Sequence, residues 1–131
     1  MARKDISDLK SKPTPSKARA DFELFQKEFT KWQQRFGLTG YKVYFKYELI
    51  DSGFASIKIN RGDMVVTASL CSNLLDKDKP YEDIKRSAKH EALHLLVGRL
   101  AEDGKYRYSS ETEISEAAEE LVYRLEGLIP D

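Results

Sequence analysis

Apolar residues recur along this chain with two different periods, and the changes of period divide it into segments. Between residues 21 and 36, Phe22, Phe25, Phe29, Trp32 and Phe36 stand three and four apart, the repeat of one face of an α-helix. The spacing predicts a helix over 21–36 whose aromatic stripe faces the core, ended by Gly37 and Gly40. From 41 to 49 the odd positions Tyr41, Val43, Phe45, Tyr47 and Leu49 are all apolar or aromatic, the alternation of a half-buried strand. A turn at Asp51, Ser52 and Gly53 leads to a second alternation, Ala55, Ile57 and Ile59. Asn60-Arg61-Gly62-Asp63 then has the composition of a tight hairpin connection. The Arg-Gly-Asp triplet inside it, an adhesion motif in other settings, reads here as a turn. The third run, 64–71 (MVVTASLC), is denser in β-branched residues and is expected to be the more buried strand. Taken as successive neighbours, the three segments predict an antiparallel meander with one face against helices.

After a polar loop over 72–79, Pro80 suits the first position of a helix, with Glu82 and Asp83 in the first turn where the helix dipole favours carboxylates. That helix is expected to run to about residue 101, with Gly104 in the loop beyond. Ser110-Glu-Thr-Glu113 has capping-box spacing. It opens a last helix to about Leu128, with Ile114, Ala118, Leu121, Val122 and Leu125 as the apolar face. The class is therefore α+β: a helix, a three-stranded mainly antiparallel sheet, and two further helices.

At 131 residues the chain suits one domain, and 40% hydrophobic against 34% charged residues is a globular balance. Twenty-two basic residues match twenty-two acidic ones, so no overall field draws the protein to nucleic acid or an anionic membrane. The charge is uneven, however. Residues 1–20 hold Arg3, Lys4, Lys10, Lys12, Lys17 and Arg19 against Asp5 and Asp8, with Pro13 and Pro15, and read as a flexible basic arm ahead of a single domain at 21–131. The arm leaves a weak route to DNA. No stretch has the apolar core of a secretory signal or the length of a membrane span. Cys71 has no second cysteine to pair with, which favours a cytoplasmic setting.

The chemistry concentrates in His90-Glu91-Ala92-Leu93-His94, which contains both histidines of the chain. On a helix the two imidazoles lie about 40° apart and one turn apart, so they can converge on one ion. This is the H-E-x-x-H arrangement, in which a glutamate between the ligands serves as general base. Zinc suits imidazole nitrogen, and a catalytic zinc takes three protein ligands and one open position. No third histidine exists, and Val97 and Leu100 stand where a longer histidine motif would continue. Cys71, in a strand, is a poor source. A carboxylate from the last helix remains. Measured from the centre of that helix's apolar face, Glu116 points away, while Glu119 and Glu120 flank the face by roughly 120–130°. Helical geometry leaves these two open.

The order of elements and the segment 87–96 (SAKHEALHLL) resemble the minimal zincin core, and are most similar to small SprT-like and phage-encoded metallopeptidases. In the phage-type proteins the downstream helix carries E-x-x-V-x-x-L, which Glu119, Val122 and Leu125 match. The resemblance therefore implies Zn2+ held by His90, His94 and Glu119, and peptide hydrolysis by a zinc-activated water with Glu91 as general base. It also implies a protein or peptide substrate bound by strand addition to a sheet edge, for which 64–71 is the candidate. Tyr106, Arg107, Tyr108 and Tyr123 are available as second oxyanion donors. The alternative is a non-catalytic zinc-stabilised binding module of the same fold.

Overall fold

The computed structural model describes residues 14–51, 53–74, 77–105 and 108–131. Most of the expected arm, residues 1–13, lies outside them, as does Ser52 of the expected turn. Helix α1 spans Pro15–Arg35, so it begins six residues inside the segment expected to be an arm. The reason is local. Thr14 accepts from the Lys17 N–H at 3.2 Å, and Pro15 occupies the first helical position with its φ already set. These cap signals outweigh the polar composition of the first turns. At the other end Gly37 takes φ 72°, and its N–H bonds Gln34 O while Leu38 N–H bonds Gln33 O. This paired closure needs a residue at ease in the left-handed region.

The aromatic stripe of α1 buries as its period predicts: Phe25 and Phe29 are fully buried and Trp32 nearly so. Strand β1, Lys42–Glu48, meets it with alternate half-buried side chains. Phe45 packs edge-on against Phe25 and Phe29 at centroid distances of 6.2 and 5.6 Å, and Tyr47 stacks on Phe22 at 5.5 Å. Each such pair adds roughly 0.5–1.5 kcal/mol beyond area burial.

Strands β2, Ala55–Asn60, and β3, Val65–Cys71, complete a sheet in the order β1-β3-β2. The sheet is mixed, and the expected meander is corrected. β1 runs parallel to β3 with Phe45 opposite Ala68, and β2 runs antiparallel to β3 with Ile57 opposite the same residue. The most apolar strand takes the centre, where Val66, Ala68 and Leu70 are fully buried and both ladders can be satisfied. Glu48 and Ala55 lie at one end of β3, opposite Cys71 and Leu70. The connection 49–54 therefore crosses about two strand spacings, roughly 10 Å, well within reach of six residues. The β2–β3 connection is a turn held by Asn60, which accepts from Asp63 N–H at 3.2 Å. Arg61 is tied to Glu102 at 3.0 Å and to Asp103 at 3.4 Å, so the Arg-Gly-Asp triplet is a braced turn.

Pro80 sits in a short 3-10 turn, Lys79–Tyr81, and not at a helix start. Helix α2 begins later, Ile84–Gly104, because Asp83 takes extended backbone and accepts from the Arg86 N–H at 3.1 Å. Helix α3, Glu111–Leu128, opens on the expected cap, with Ser110 accepting from the Glu113 N–H at 3.1 Å. Among the described residues no helix is long and apolar enough to cross a membrane.

α2 is the hub. Ile84, Ala88, Ala92 and Leu95 join the main core with α1 and β3, while Leu93 and Val97 form a second cluster with Val122 of α3. α2 also comes close to β2 at Gly98, where an added Cβ would lie 2.9 Å from Ile59 Cδ1. One side of α2 stays open, since Leu96 is partly exposed and Leu100 beyond it faces solvent. Leu93→Ala is expected to cost about 2–5 kcal/mol and Leu100→Ala no more than about 0.5 kcal/mol, measured by urea unfolding.

Candidate metal centre

α2 sets His90 and His94 one turn apart, with ring centroids 4.9 Å from each other and planes inclined at 66°. α3 crosses that face and brings one carboxylate between them. Glu119 Oε1 lies 2.8 Å from His90 Nε2, and Glu119 Oε2 lies 2.7 Å from His94 Nε2. The three glutamates weighed from the sequence are thus sorted. Glu119 reaches both rings. Glu120 is on the outer side of α3, paired with Arg124 at 2.8 Å, and Glu116 is exposed.

α3 is rotated from its expected setting. Its buried positions are Val122 and Glu126, while Leu121, part of the predicted apolar face, is 38% exposed and Leu128 at the helix end 77%. The inward stripe contains two glutamates, 119 and 126, each met by cationic or imidazole groups of α2. A count of apolar residues alone assigns those positions to solvent.

Glu126 is the site residue that the sequence reading passed over. Its side chain is 6% exposed. One carboxylate oxygen contacts Arg86 Nε and the other lies 2.7 Å from His90 Nδ1. The signal was present: Glu126 follows Glu119 by seven residues, two turns along one stripe. The second unforeseen group is Lys89. Its ammonium, almost fully buried, donates to the carbonyls of Glu126 and Ile129 at 2.9 and 2.5 Å and to Asp131 Oδ1 at 2.9 Å, and sits over the Trp32 ring. It fills the carbonyl end of α3, where unpaired acceptors and the helix dipole both favour a cation.

Burial shifts the titrations. The Glu91 carboxyl is pushed up to about 7, chiefly by desolvation and further by the Glu119 and Glu126 carboxylates, with His90 opposing. Burial holds the His94 imidazole below its ordinary range, opposed by Glu119, which favours the neutral ring that ligates metals. Glu91, His90, His94 and Glu119 share a cleft of about 660 Å³ that is also lined by Phe54 and by Ala55, Ser56 and Ile57 of β2. The strand expected to offer a sheet edge, 64–71, is instead the central strand and is paired on both sides. Of the oxyanion candidates, Tyr123 lines the cleft with its ring 4.8 Å from that of His90. Tyr108 is fully exposed and outside the cleft, and Tyr106 and Arg107 lie outside the described residues.

Among the described residues His90, His94 and Glu119 form the group able to hold a metal ion, with their donor atoms all within 4.8 Å of one another. Two imidazole nitrogens and a carboxylate oxygen are donors that suit zinc, and the Glu119 contacts of 2.8 and 2.7 Å would widen by under about 1 Å to take bonds of roughly 2.0–2.2 Å. The residues fit the ion. Comparison with known proteins gives no match to a family model, to a curated protein or to a solved structure.

The Lys89 contacts generate a direct test of how α3 is held. Lys89→Met keeps the apolar stem but leaves the Glu126 and Ile129 carbonyls without their donor. Unfolding by denaturant is expected to show a loss of about 1–3 kcal/mol, against less than about 0.5 kcal/mol for Lys85→Met on the exposed face.

Proposed function

We propose that the protein is a zinc-dependent peptidase, with His90, His94 and Glu119 as metal ligands and Glu91 as general base. The observation that carries this reading is the meeting of both histidine Nε2 atoms with Glu119 in a cleft that also holds Glu91 and is bounded by a strand edge. When bound, zinc would supply Lewis acidity, acidifying a water and polarising a carbonyl. Glu91, about 100° round the helix from His90, would take the proton of the attacking water and return it to the leaving amine. An extended protein or peptide substrate would lie along the β2 edge, adding its backbone hydrogen bonds to that strand, with Tyr123 near enough to offer a phenol to the developing oxyanion.

A second reading has its own observation. The ligands come from two helices, two from α2 and one from α3, so a zinc ion would also fasten the helices together in a binding module without catalysis. The two readings share a metal and differ at Glu91. The protein is expected to bind about one zinc per chain, lost in His94→Ala and Glu119→Ala and kept in Glu120→Ala, read by metal analysis after gel filtration. Zinc retained in Glu119→Ala would remove Glu119 from the site. In a screen against unfolded protein and peptide libraries, Glu91→Gln is expected to keep its zinc and lose cleavage by at least about 100-fold. A zinc-loaded wild type that cleaves nothing would favour the binding module.

A further inference from the structure

An imidazole has two nitrogens, and a ligand must present one of them without its proton. Which nitrogen is free depends on the hydrogen bond made by the other. His90 Nδ1 lies 2.7 Å from Glu126 Oε2, and an ionised carboxylate can only accept. At that contact the ring nitrogen is therefore the donor, and Nε2, which lies 2.8 Å from Glu119 Oε1, is the nitrogen whose hydrogen bond a bound ion would replace. The Glu126 carboxylate is itself almost buried, which is tolerable only with a partner. Arg86 supplies one at Oε1, so one oxygen serves each of two α2 residues set four apart, 86 and 90. Lys89, between them in sequence, fixes the backbone of the same α3 turn through Glu126 O. Three residues of α2 thus hold one residue of α3, from both its side chain and its main chain.

We infer that Glu126, held by Arg86, is a positioning residue for His90: it keeps the Nδ1 proton in place, so that the Nε2 lone pair faces Glu119 and His94. The inference rests on the reading of His90 as a metal ligand and gives Glu126 no contact with substrate or ion. It assigns a role to the buried carboxylate seven residues beyond Glu119, which the ligand set itself leaves unused. Removing such a supporting partner ordinarily weakens metal affinity about 10- to 100-fold.

The test uses the full chain and zinc alone. Zinc affinity is measured by competition with a chromophoric chelator for wild type, Glu126→Ala and Glu126→Gln. The His90 Nδ1–H is followed by nitrogen-15 NMR in the zinc-loaded proteins. Glu126→Ala is expected to weaken zinc binding about 10- to 100-fold and to abolish the downfield, slowly exchanging Nδ1–H resonance. Glu126→Gln keeps the size and an accepting oxygen, so it is expected to recover part of the affinity and to show the resonance shifted upfield. Wild-type affinity in Glu126→Ala, or an unchanged Nδ1–H resonance in either variant, overturns the inference while leaving the zinc reading intact. If Glu126→Ala does not fold, the Glu126→Gln resonance decides alone. A wild type that takes up no zinc while remaining folded overturns the peptidase reading, and the inference falls with it.

Discussion

A buried ammonium between two helices is the constraint on which the rest of this molecule depends. Lys89 donates into the carbonyl end of α3 while the same ammonium sits over the Trp32 ring of α1, so three helices meet at one side chain. An unpaired buried cation would be prohibitive; here two of its three acceptors are carbonyls of the turn that must be placed, and the third is the Asp131 carboxylate just beyond it. The next residue, His90, makes the adjoining contact with Glu126. Lys89 thus sets the axial register of α3 against α2, and that register decides which glutamate faces the imidazoles. A shift of one residue along α3 would bring Glu120 or Ala118 towards them in place of Glu119.

The sheet contributes differently. It supplies no donor to the centre, yet it fixes a wall of the cleft. Because β3 takes the middle, β2 is an edge strand, and its residues Ala55, Ser56 and Ile57 line the cleft with Glu91 and both histidines. The close approach at Gly98, with no space for a Cβ beside Ile59, keeps α2 tight against that strand. Cleft and centre are therefore set by two separate contacts of one helix: with β2 on one flank and with α3 on the other.

Much of this was legible from the pattern of residues. The aromatic repeat of α1, the alternation of β1, the cap at Ser110 and the convergence of His90 and His94 are all local properties, fixed within a few residues by helix or strand geometry. The failures share a cause in non-local choice. Alternation in β1, β2 and β3 is equally satisfied by a meander or by an order with β3 at the centre, since either buries the same faces. The start of α1 was misplaced because charged first turns look like a tail unless Thr14 and Pro15 are weighed as caps. The rotation of α3 was missed because Glu119 and Glu126 count as polar in any amphipathic average, whereas Arg86, His90 and His94 give them partners inside. Helical geometry left Glu119 and Glu120 equal; the E-x-x-V-x-x-L resemblance pointed to Glu119, the residue that lies between the rings.

The thin apolar footing of α3 has a consequence for how this molecule responds to its surroundings. Val122 is its one fully buried hydrophobic side chain among the described residues, while much of its hold is ionic or hydrogen-bonded through Glu119, Glu126 and its terminal carbonyls. Contacts of that kind weaken with protonation and salt far more readily than an aromatic core does. The α1–sheet body and α3 are thereby held by contacts of different physical kinds: one by aromatic and aliphatic packing, the other by charge and hydrogen bonding across a helix pair. Replacing the charged partners of α3 would therefore loosen one helix while leaving the aromatic core of the other elements intact.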